Sequence, residues 1–212
     1  MAPDPLTQER LYRSLKSEFL AGKFVAGARV EIAAIADRHR ASVTPVREAI
    51  HRLIGEDLLE SRPDGGFQLV IPDPEQLTHL YRWNGQMLLT ALHLASRLAL
   101  REVVARFNGR VRTAEPNNIA SWTNNFFHAI GQASENLECA GHLSRLGERL
   151  HYARLVEPRA LPDIVRELDI LVRNGSIDVK MILRRRIVAY HRRRIERAHY
   201  VHALAISRQQ ID

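Results

Sequence analysis

A chain of 212 residues is long enough for one or two domains with a substantial buried core. Its 31 basic and 24 acidic residues give a formal net charge of +7, which suits a polyanionic partner such as nucleic acid. The single cysteine, Cys139, excludes an intramolecular disulfide and fits a reducing compartment. No apolar run approaches the roughly 20 residues that cross a bilayer, and the N-terminus lacks the apolar segment of a signal peptide, so no membrane partner is expected.

The positive charge is unevenly distributed along the chain. Residues 1–72 contain ten basic and ten acidic residues and are formally neutral, whereas residues 73–212 contain 21 basic and 14 acidic residues. Bulk charge therefore does not identify a nucleic-acid-binding half. The positions of individual arginines must do so.

Two helices are predicted within the first 40 residues. A four-residue apolar repeat predicts the first, and a short apolar pattern after a glycine-bracketed turn predicts the second. The residues concerned are Leu11, Leu15 and Phe19 in the first helix, Gly22 and Gly27 around the turn, and Ile32, Ile35 and Ala36 in the second.

The next stretch carries the strongest helix signal. Thr44 is a suitable N-cap, and Pro45 would then occupy the first helical position, where its missing N–H costs nothing. An apolar stripe with i, i+3, i+4, i+7 and i+8 spacing marks a buried face made of Val46, Ala49, Ile50, Leu53 and Ile54. The other side carries Arg47, Glu48, His51 and Arg52. Glu48 and Arg52 are spaced for an ion pair, and an ordinary amphipathic surface helix would look the same.

A β-hairpin is predicted directly after this helix. Gly65 and Gly66 form a turn signal, and Phe67 and Leu69 then recur at every second position. The order helix, helix, tight turn, helix and hairpin is that of a winged helix-turn-helix. A recognition helix in such a unit presents its N-terminal residues to base edges in the major groove; here these are Thr44, Val46 and Arg47.

Residues 15–70 carry several matching motifs: Gly22-Lys23-Phe24, Gly27, Ile35-Ala36, Ser42 with the run Thr44-Pro45-Val46-Arg47-Glu48-Ala49, Arg52-Leu53 and Gly66-Phe67. On these pieces the segment resembles the N-terminal domain of GntR-family transcriptional regulators. The sequence departs from the family at Ala26, where proline is usual, and at Asp57, where glycine is usual. Val43 replaces an arginine that often contacts DNA in the family, which affects the operator sequence and not the mode of binding.

The resemblance implies a double-stranded DNA operator as the partner. Arg47 is expected to read a base, a guanine through O6 and N7. Ser42, Thr44 and Arg52 are expected to hold phosphates, with the wing at the minor groove or the backbone. The complete predicted DNA-binding set is Arg38, Ser42, Thr44, Val46, Arg47, His51, Arg52, Arg62, Gly65 and Gly66.

A domain boundary is predicted where two prolines end the wing. Asp73 can cap a new helix with Pro74 at its first position. We therefore expect a winged helix-turn-helix domain over 1–72 and an all-helical effector-binding and dimerisation domain over 73–212. The fold class is mainly α. Helices are predicted over 74 to about 106, and about 119–136, 138–155, 163–173 and 176–206, with breaks at Glu157-Pro158, Leu161-Pro162 and Asn174-Gly175.

Residues 73–206 resemble the helical domain of the fatty-acid-regulator (FCD) branch of the GntR family, through Phe127-His128, Ala133-Ser134 and Asn136. In that branch an aspartate four residues before the histidine, and two histidines from later helices, hold a divalent metal that helps to bind a carboxylate effector. Two ligands at i and i+4 share one helix face, and two more helices close the site.

This sequence departs from that ligand set. Asn124 replaces the aspartate, Leu168 lies where the second histidine is expected, and His191 could be the last. A neutral amide is a poor metal ligand, so a divalent metal is disfavoured, with His128 and His191 as the remaining weak candidates. The alternative for these two histidines is that they line a polar pocket or are hydrogen-bonded groups of the core. We predict that Asn124, His128 and His191 line a site for a small-molecule effector, a carboxylate by the resemblance.

Two further groups stand outside these motifs. His142, His151, His199 and His202 are expected at the surface or at an interface. The triplets Arg184-Arg185-Arg186 and Arg192-Arg193-Arg194 repeat after eight residues, which predicts a solvated basic face of the last helix. The alternatives are a supplementary phosphate contact and a surface for an anionic partner.

Enzymatic motifs are missing from the sequence: it has no phosphate-binding glycine loop, no Gly-x-Ser-x-Gly elbow and no His-Glu-x-x-His. The predicted function is a DNA-binding transcriptional regulator. It is expected to be a repressor, because repression is more common than activation in the family that the sequence resembles. It would bind a pseudo-palindromic operator as a homodimer, respond to a small-molecule effector and act in the cytoplasm at the nucleoid. The alternative is an architectural or regulatory DNA-binding protein whose helical domain only dimerises and has lost its effector.

Overall fold

The computed structural model describes residues 5–111, 113–173 and 178–207. These residues form eleven helices and one two-stranded sheet. They fall into two compact units, one reaching to Ile71 and including Ile206 and Ser207, the other spanning Pro72–Ala205. The predicted fold class, mainly α with a winged helix-turn-helix followed by a helical bundle, is confirmed. None of the described helices is long and apolar enough to span a membrane.

The first unit is built from three helices and a hairpin: α1 (Pro5–Leu20), α2 (Ile32–His39), α3 (Val43–Gly55), β1 (Leu59–Ser61) and β2 (Phe67–Leu69). The strands pair antiparallel with Leu59 opposite Leu69, and Val30 adds a bridge to Phe67. The predicted apolar repeats form the core. Leu11, Leu15 and Phe19 of α1 are buried with Val46, Ala49, Ile50 and Leu53 of α3, whereas Ile54 is half-buried.

The start of α3 differs from the prediction. The helix begins at Val43, with Ser42 in the N-cap position, and Pro45 is the third helical residue. Thr44 is therefore not the cap. The first turn of any helix has N–H groups without intrahelical partners, so proline is tolerated at this position as it is at the first.

The secondary structure of the second unit is all helical in its described part: α4 (Pro74–Leu94), α5 (Arg97–Phe107), α6 (Pro116–Ala133), α7 (Leu137–Arg149), α8 (His151–Ala160), α9 (Ile164–Val172), α10 (Val179–Glu196) and α11 (Ala198–Ser207) without its last two residues. The predicted start at Asp73-Pro74 is confirmed. The Asp73 side chain accepts from the Gln76 N–H, and the Gln76 side chain accepts from the Asp73 N–H, which makes a capping box.

Several predicted helix boundaries were wrong. The long helix from residue 74 breaks at Ala95, and Ser96 caps α5 by accepting from the Ala99 N–H. The predicted 138–155 helix divides at Leu150. The helix that follows continues through Pro158 to Ala160, because the Leu161 N–H donates to Glu157 O beyond the proline. The predicted last helix is divided at Arg197, and the predicted cap at Asn174-Gly175 lies outside the described residues.

Candidate DNA-binding surface and buried polar site

The outward face of α3 is where the sequence placed the DNA contacts. Val43, Thr44, Arg47 and His51 are exposed on it, and the His51 ring meets Phe67 of the wing edge-on at 5.6 Å between centroids. The prediction that Val46 contacts DNA was wrong. Its side chain is completely buried among the apolar residues of α3, so it packs in the core and cannot reach a base.

Arg47 is an exposed arginine on α3 without an internal partner. No hydrogen bond or ion pair joins its guanidinium to a residue of the described chain. The neighbouring Glu48 does not neutralise it, since the Glu48 carboxylate accepts from Gln8 Nε2 at 2.5 Å. Five N–H donors of a fixed cation are therefore available one turn into α3.

Arg52 lies on the same helix but is engaged within the unit. Its Nη1 donates to Glu9 Oε2 at 2.8 Å, and its guanidinium lies 3.6 Å from the centre of the Tyr12 ring. The hydrogen bonds from Arg52 and Arg13 lower the pKa of Glu9. The expected Glu48–Arg52 pair is not formed. Arg52 instead joins α3 to α1, so its predicted phosphate contact would require it to leave Glu9.

Two more of the predicted arginines hold internal partners. Arg38 Nη2 donates to Glu18 Oε2 at 2.9 Å. Arg62 makes a two-pronged contact with Asp64 at 2.8 and 3.1 Å and also donates to Gly27 O at 3.1 Å. The Asp64 carboxylate raises the pKa of Arg62, whose own hydrogen bonds lower the pKa of Asp64. Arg62 therefore ties the hairpin turn to the loop before α2.

The turn of the wing depends on its two glycines. Gly65 and Gly66 have φ of +85° and +83°, a region that side chains other than glycine rarely adopt. A Cβ on Gly66 would lie 2.6 Å from Arg29 Nε, whereas one on Gly65 would keep 3.4 Å from the nearest Arg29 atom. The arginine therefore lies directly over the backbone of the predicted DNA-contacting turn.

The sequence analysis missed Arg29 and Arg40. Arg29 is exposed over the wing turn, and Arg40 is exposed at the C-cap of α2, in a left-handed conformation with φ of 49° and without an ion-pair partner in the described chain. Neither lies in a periodic pattern. A non-glycine residue with positive φ leaves no trace in sequence periodicity, so no local signal could have found them.

Asn124 of the predicted effector site is a half-buried residue of α6 in the helical unit. Its Oδ1 accepts from Arg154 Nη1, and its Nδ2 donates to His151 Nδ1 at 3.0 Å. His151 is 1% exposed, so the expectation that it would lie at the surface or at an interface was wrong. Gly147 makes this approach possible, because its missing Cβ would lie 3.2 Å from Asn124 Oδ1.

His191 is buried on α10 and stacks on Phe127 at 5.7 Å between ring centroids. Its Nδ1 lies 2.8 Å from Ile187 O and its Nε2 lies 3.0 Å from Asn84 Oδ1. Burial lowers the pKa of His191 to about 3, so the ring is neutral at physiological pH and can donate to only one of these oxygens.

The three predicted effector residues are only partly brought together. A path of hydrogen bonds runs from Asn124 through the Arg154 guanidinium to Asn84, at 3.4 Å, and on to His191. His128 lies one turn after Asn124 on α6 and is half-buried, but its buried Nδ1 has no hydrogen-bond partner within the described chain. Arg154 and Asn84, which connect the site, were missed.

A divalent metal does not fit these residues. The Asn124 oxygen faces the guanidinium of Arg154, which would repel a cation, and both nitrogens of His191 face protein oxygens. Within residues 5–111, 113–173 and 178–207, no three His, Cys, Asp or Glu side chains are grouped so that they could hold a metal ion. No step of the function is therefore assigned to a metal.

The arginine triplets are not a uniform solvated face, which corrects the prediction. Arg194 is completely buried; its Nη2 donates to Glu157 Oε2 at 2.9 Å and its Nη1 to Glu167 Oε2 at 3.0 Å. Arg186 donates to Arg173 O at 2.7 Å. Arg184, Arg185 and Arg192 do remain exposed. Tyr81, which donates to Glu157 Oε1 at 2.7 Å, completes a paired ionic cluster in the core.

Comparison with known proteins bears on the first unit most directly. Residues 7–69 match the family model described as "Bacterial regulatory proteins, gntR family". No curated protein matches the sequence. Among solved structures, McbR/YncC of E. coli is similar with a TM-score of 0.70 at 18% identity, covering 94% of this chain and 99% of that one.

Two further solved structures are similar over most of their length. A GntR protein from Rhodococcus sp. RHA1 has a TM-score of 0.68 at 14% identity, covering 94% of this chain and 97% of that one. Lar, described as controlling expression of the Listeria monocytogenes agr system, has a TM-score of 0.54 at 14% identity, with full coverage of both chains. At such identities the likeness establishes the fold alone.

Proposed function

Residues 7–69 are a DNA-binding domain of the gntR family of bacterial regulatory proteins, and from this premise we propose that the chain is a transcriptional repressor that binds a pseudo-palindromic operator as a homodimer. It has no enzymatic role and acts at the nucleoid in the cytoplasm. The family match concerns the first unit. The helical second unit fits the FCD branch of the family and serves dimerisation and effector binding.

The proposal depends on the observation that the Arg47 guanidinium is exposed and has no internal partner. It is exposed on α3 without an internal partner, whereas Arg38, Arg52 and Arg62 each hold a carboxylate within the unit. A formally neutral domain can bind a polyanion only through cations that its own carboxylates leave available. Arg47 reads a guanine, and Arg29 and Arg40 add phosphate contacts from the wing and from the end of α2.

Ser42 and Thr44 contribute from the start of α3. Both side chains are exposed, and Ser42 makes no side-chain capping hydrogen bond, so its hydroxyl is available to a phosphate oxygen. A two-fold protein requires a two-fold site, which makes the operator pseudo-palindromic. Arg52 and Arg62 hold the recognition helix and the wing in place.

The effector site is assigned to the buried polar path around Asn124 and His191, with His128 beside it. A ligand bound there would shift the relative placement of the two reader domains of a dimer. The alternative, a helical unit that only dimerises, predicts that no small molecule changes DNA affinity.

Selection of binding sites from a random DNA library tests the DNA-binding assignment. Arg47→Ala should weaken operator binding by about 1–3 kcal/mol and erase the preference at one base pair of each half-site, because a two-pronged base contact is lost. Arg13→Ala removes a cation that is 76% exposed on α1 and is the matched control, expected to select the same sites as the unaltered protein. An unchanged preference in Arg47→Ala would show that another residue reads the base.

A further inference from the structure

Three arginines of the helical unit line one small pocket. Arg101 lies on α5, Arg173 follows the last residue of α9, and Arg186 lies on α10. The pocket has a volume of about 30 Å³, and no acidic side chain of the described residues lines it. Three like charges around one pocket repel one another, which raises the free energy of the folded chain unless an anion offsets them.

The chain itself offsets little of this charge. Arg101 is exposed and has no hydrogen bond or ion pair within the described chain. Arg186 is half-buried and donates to two backbone carbonyls, Leu171 O at 3.4 Å and Arg173 O at 2.7 Å. Burial, and after it the charge of Arg173, lower the pKa of Arg186. Arg173 Nη2 lies 3.5 Å from Asp169 Oδ2, but these side chains are 62% and 43% exposed, and such a pair contributes little.

Other arginines of the same helices do hold a carboxylate. Arg97 begins α5, and its Nη2 donates to Asp178 Oδ2 at 3.0 Å. Arg193 of α10 lies 3.3 Å from Glu167 Oε2. The lack of a close carboxylate partner is therefore a property of the pocket and not of the helices that form it.

The size and lining of the pocket indicate the kind of anion that would fit. Its other lining residues are apolar, and a low-dielectric surface strengthens the attraction between a cation and an anion; they are Val104, Val179, Ile182 and Leu183. A volume of about 30 Å³ has room for roughly two water-sized groups, and therefore for two oxygens of a larger anion.

A phosphate group matches this charge and geometry better than a carboxylate does. It carries nearly two negative charges at neutral pH, and its acceptor oxygens point in several directions. Guanidinium groups from three separate elements can each meet one of them. A carboxylate has a single charge and two oxygens in one plane.

We propose that Arg101, Arg173 and Arg186 bind the phosphate group of a small molecule, either free phosphate or a phosphate ester. The inference goes beyond the proposed function, because the pocket shares no residue with the proposed DNA-binding surface or with the proposed effector site. A phosphate bound there joins α5, α9 and α10 through one ligand. The backbone contacts of Arg186 hold its guanidinium in place before the ligand arrives.

Isothermal titration calorimetry of the full chain with inorganic phosphate tests the site, at ionic strength held constant with chloride. Arg101→Gln and Arg173→Gln should each raise the Kd about tenfold or more, because each removes a charge-assisted hydrogen bond to the ligand. Both side chains are exposed, so both variants are expected to fold. Arg106→Gln removes an exposed arginine of α5 that lies outside the pocket, and this matched control should change the Kd less than about twofold.

Titrations with methyl phosphate and with acetate identify the ligand class. A higher affinity for methyl phosphate assigns the site to a phosphate ester, and an equal or higher affinity for inorganic phosphate assigns it to the free anion. Acetate that binds as tightly as phosphate overturns the proposal. The proposal is also overturned if the unaltered protein shows no saturable binding of either phosphate, or if Arg106→Gln loses as much affinity as the two pocket variants.

Operator binding by the same variants distinguishes a small molecule from DNA as the source of the phosphate. Arg101→Gln and Arg173→Gln should bind the operator with the same salt dependence as the unaltered protein. A salt slope reduced by about 1 in these variants, but not in Arg106→Gln, would mean that the pocket contacts the DNA backbone, and the small-molecule assignment would be wrong.

Discussion

Arginines of the first unit divide into those that hold an internal carboxylate and those that do not. Arg52 belongs to the first group through Glu9 and Tyr12, and Arg40 belongs to the second. The division assigns different tasks to side chains of the same type. An arginine already paired contributes to the fold, and an arginine without a partner can release counterions from DNA.

Arg52→Ala is therefore expected to affect the stability of the protein, and Arg40→Ala is expected to affect its binding to DNA. Arg52→Ala should destabilise the protein, with the lost cation–π contact alone costing about 0.5–1 kcal/mol. Arg40→Ala should leave stability unchanged and reduce the slope of log K against log salt for operator binding by about 1. Urea denaturation and salt titration of DNA binding measure the two effects. A reduced salt slope in Arg52→Ala without loss of stability would show that Arg52 leaves Glu9 for a phosphate.

His191 makes the stability of the protein depend on pH. Its pKa is about 3 in the folded protein, against an ordinary value of 6.5. Between these values the unfolded chain binds more protons than the folded one, so the free energy of unfolding falls as pH falls. The contribution lost between about pH 7.5 and about pH 5 is roughly 2 kcal/mol.

His191→Gln should remove this part of the pH dependence, because glutamine does not titrate. Urea denaturation of both proteins at the two pH values gives the comparison. Other groups contribute equally to both proteins, so the difference between the two pH profiles isolates His191. Parallel profiles would mean that the histidine is already protonated in the folded protein or solvated in it.

The conformation of the wing depends on two glycines at its turn. Gly65 and Gly66 share a positive φ, but only Gly66 lies close enough to Arg29 for a Cβ to collide with it. Arg29 can move away from an added methyl group only by leaving its place over the turn. Comparing an alanine at position 65 with an alanine at position 66 therefore distinguishes the effect of backbone strain from the effect of displacing Arg29.

Gly65→Ala and Gly66→Ala should each lower stability by about 1 kcal/mol through backbone strain. Only Gly66→Ala should also weaken operator binding beyond that effect, because it displaces Arg29. DNA affinity measured at a temperature where both variants are folded checks this. Equal affinities for the two variants would exclude a DNA contact by Arg29.

At the scale of the whole molecule, the excess charge and the proposed DNA-reading residues lie in different parts of the chain. The first 72 residues are formally neutral, and the basic excess lies in residues 73–212. Two of those later arginines, Arg154 and Arg194, are buried and cannot contribute to an electrostatic surface. The net charge therefore overstates how much positive charge is exposed and available to DNA.

A dimer should bind a palindromic operator far more tightly than a duplex with one half-site. Linking two readers makes the second contact intramolecular, which raises affinity by about 10²–10⁴ without new contacts. Light scattering of the full-length protein should give a dimer, and titration with the two duplexes should give this ratio. A monomer that still binds the palindrome tightly would contradict the proposed assembly.

Local signals in the sequence were sufficient for the winged helix-turn-helix and for the start of the helical unit. The apolar stripe of α3, the Gly65-Gly66 turn and the Asp73 cap before Pro74 each involve residues within a few positions of one another. Such patterns act through periodicity and backbone geometry, which neighbouring residues determine. The break at Ala95, by contrast, was hidden inside a continuous apolar pattern.

The tertiary structure alone decided which polar residues are available and which are committed. Arg52 meets Glu9 across 43 positions of the chain, and His191 meets Asn84 across 107. Sequence reasoning placed Val46 on DNA and overlooked Arg154, because burial and charge compensation depend on partners that no local pattern specifies. The sequence by itself determined the DNA-reading fold, and long-range packing determined which of its charges remain free to act.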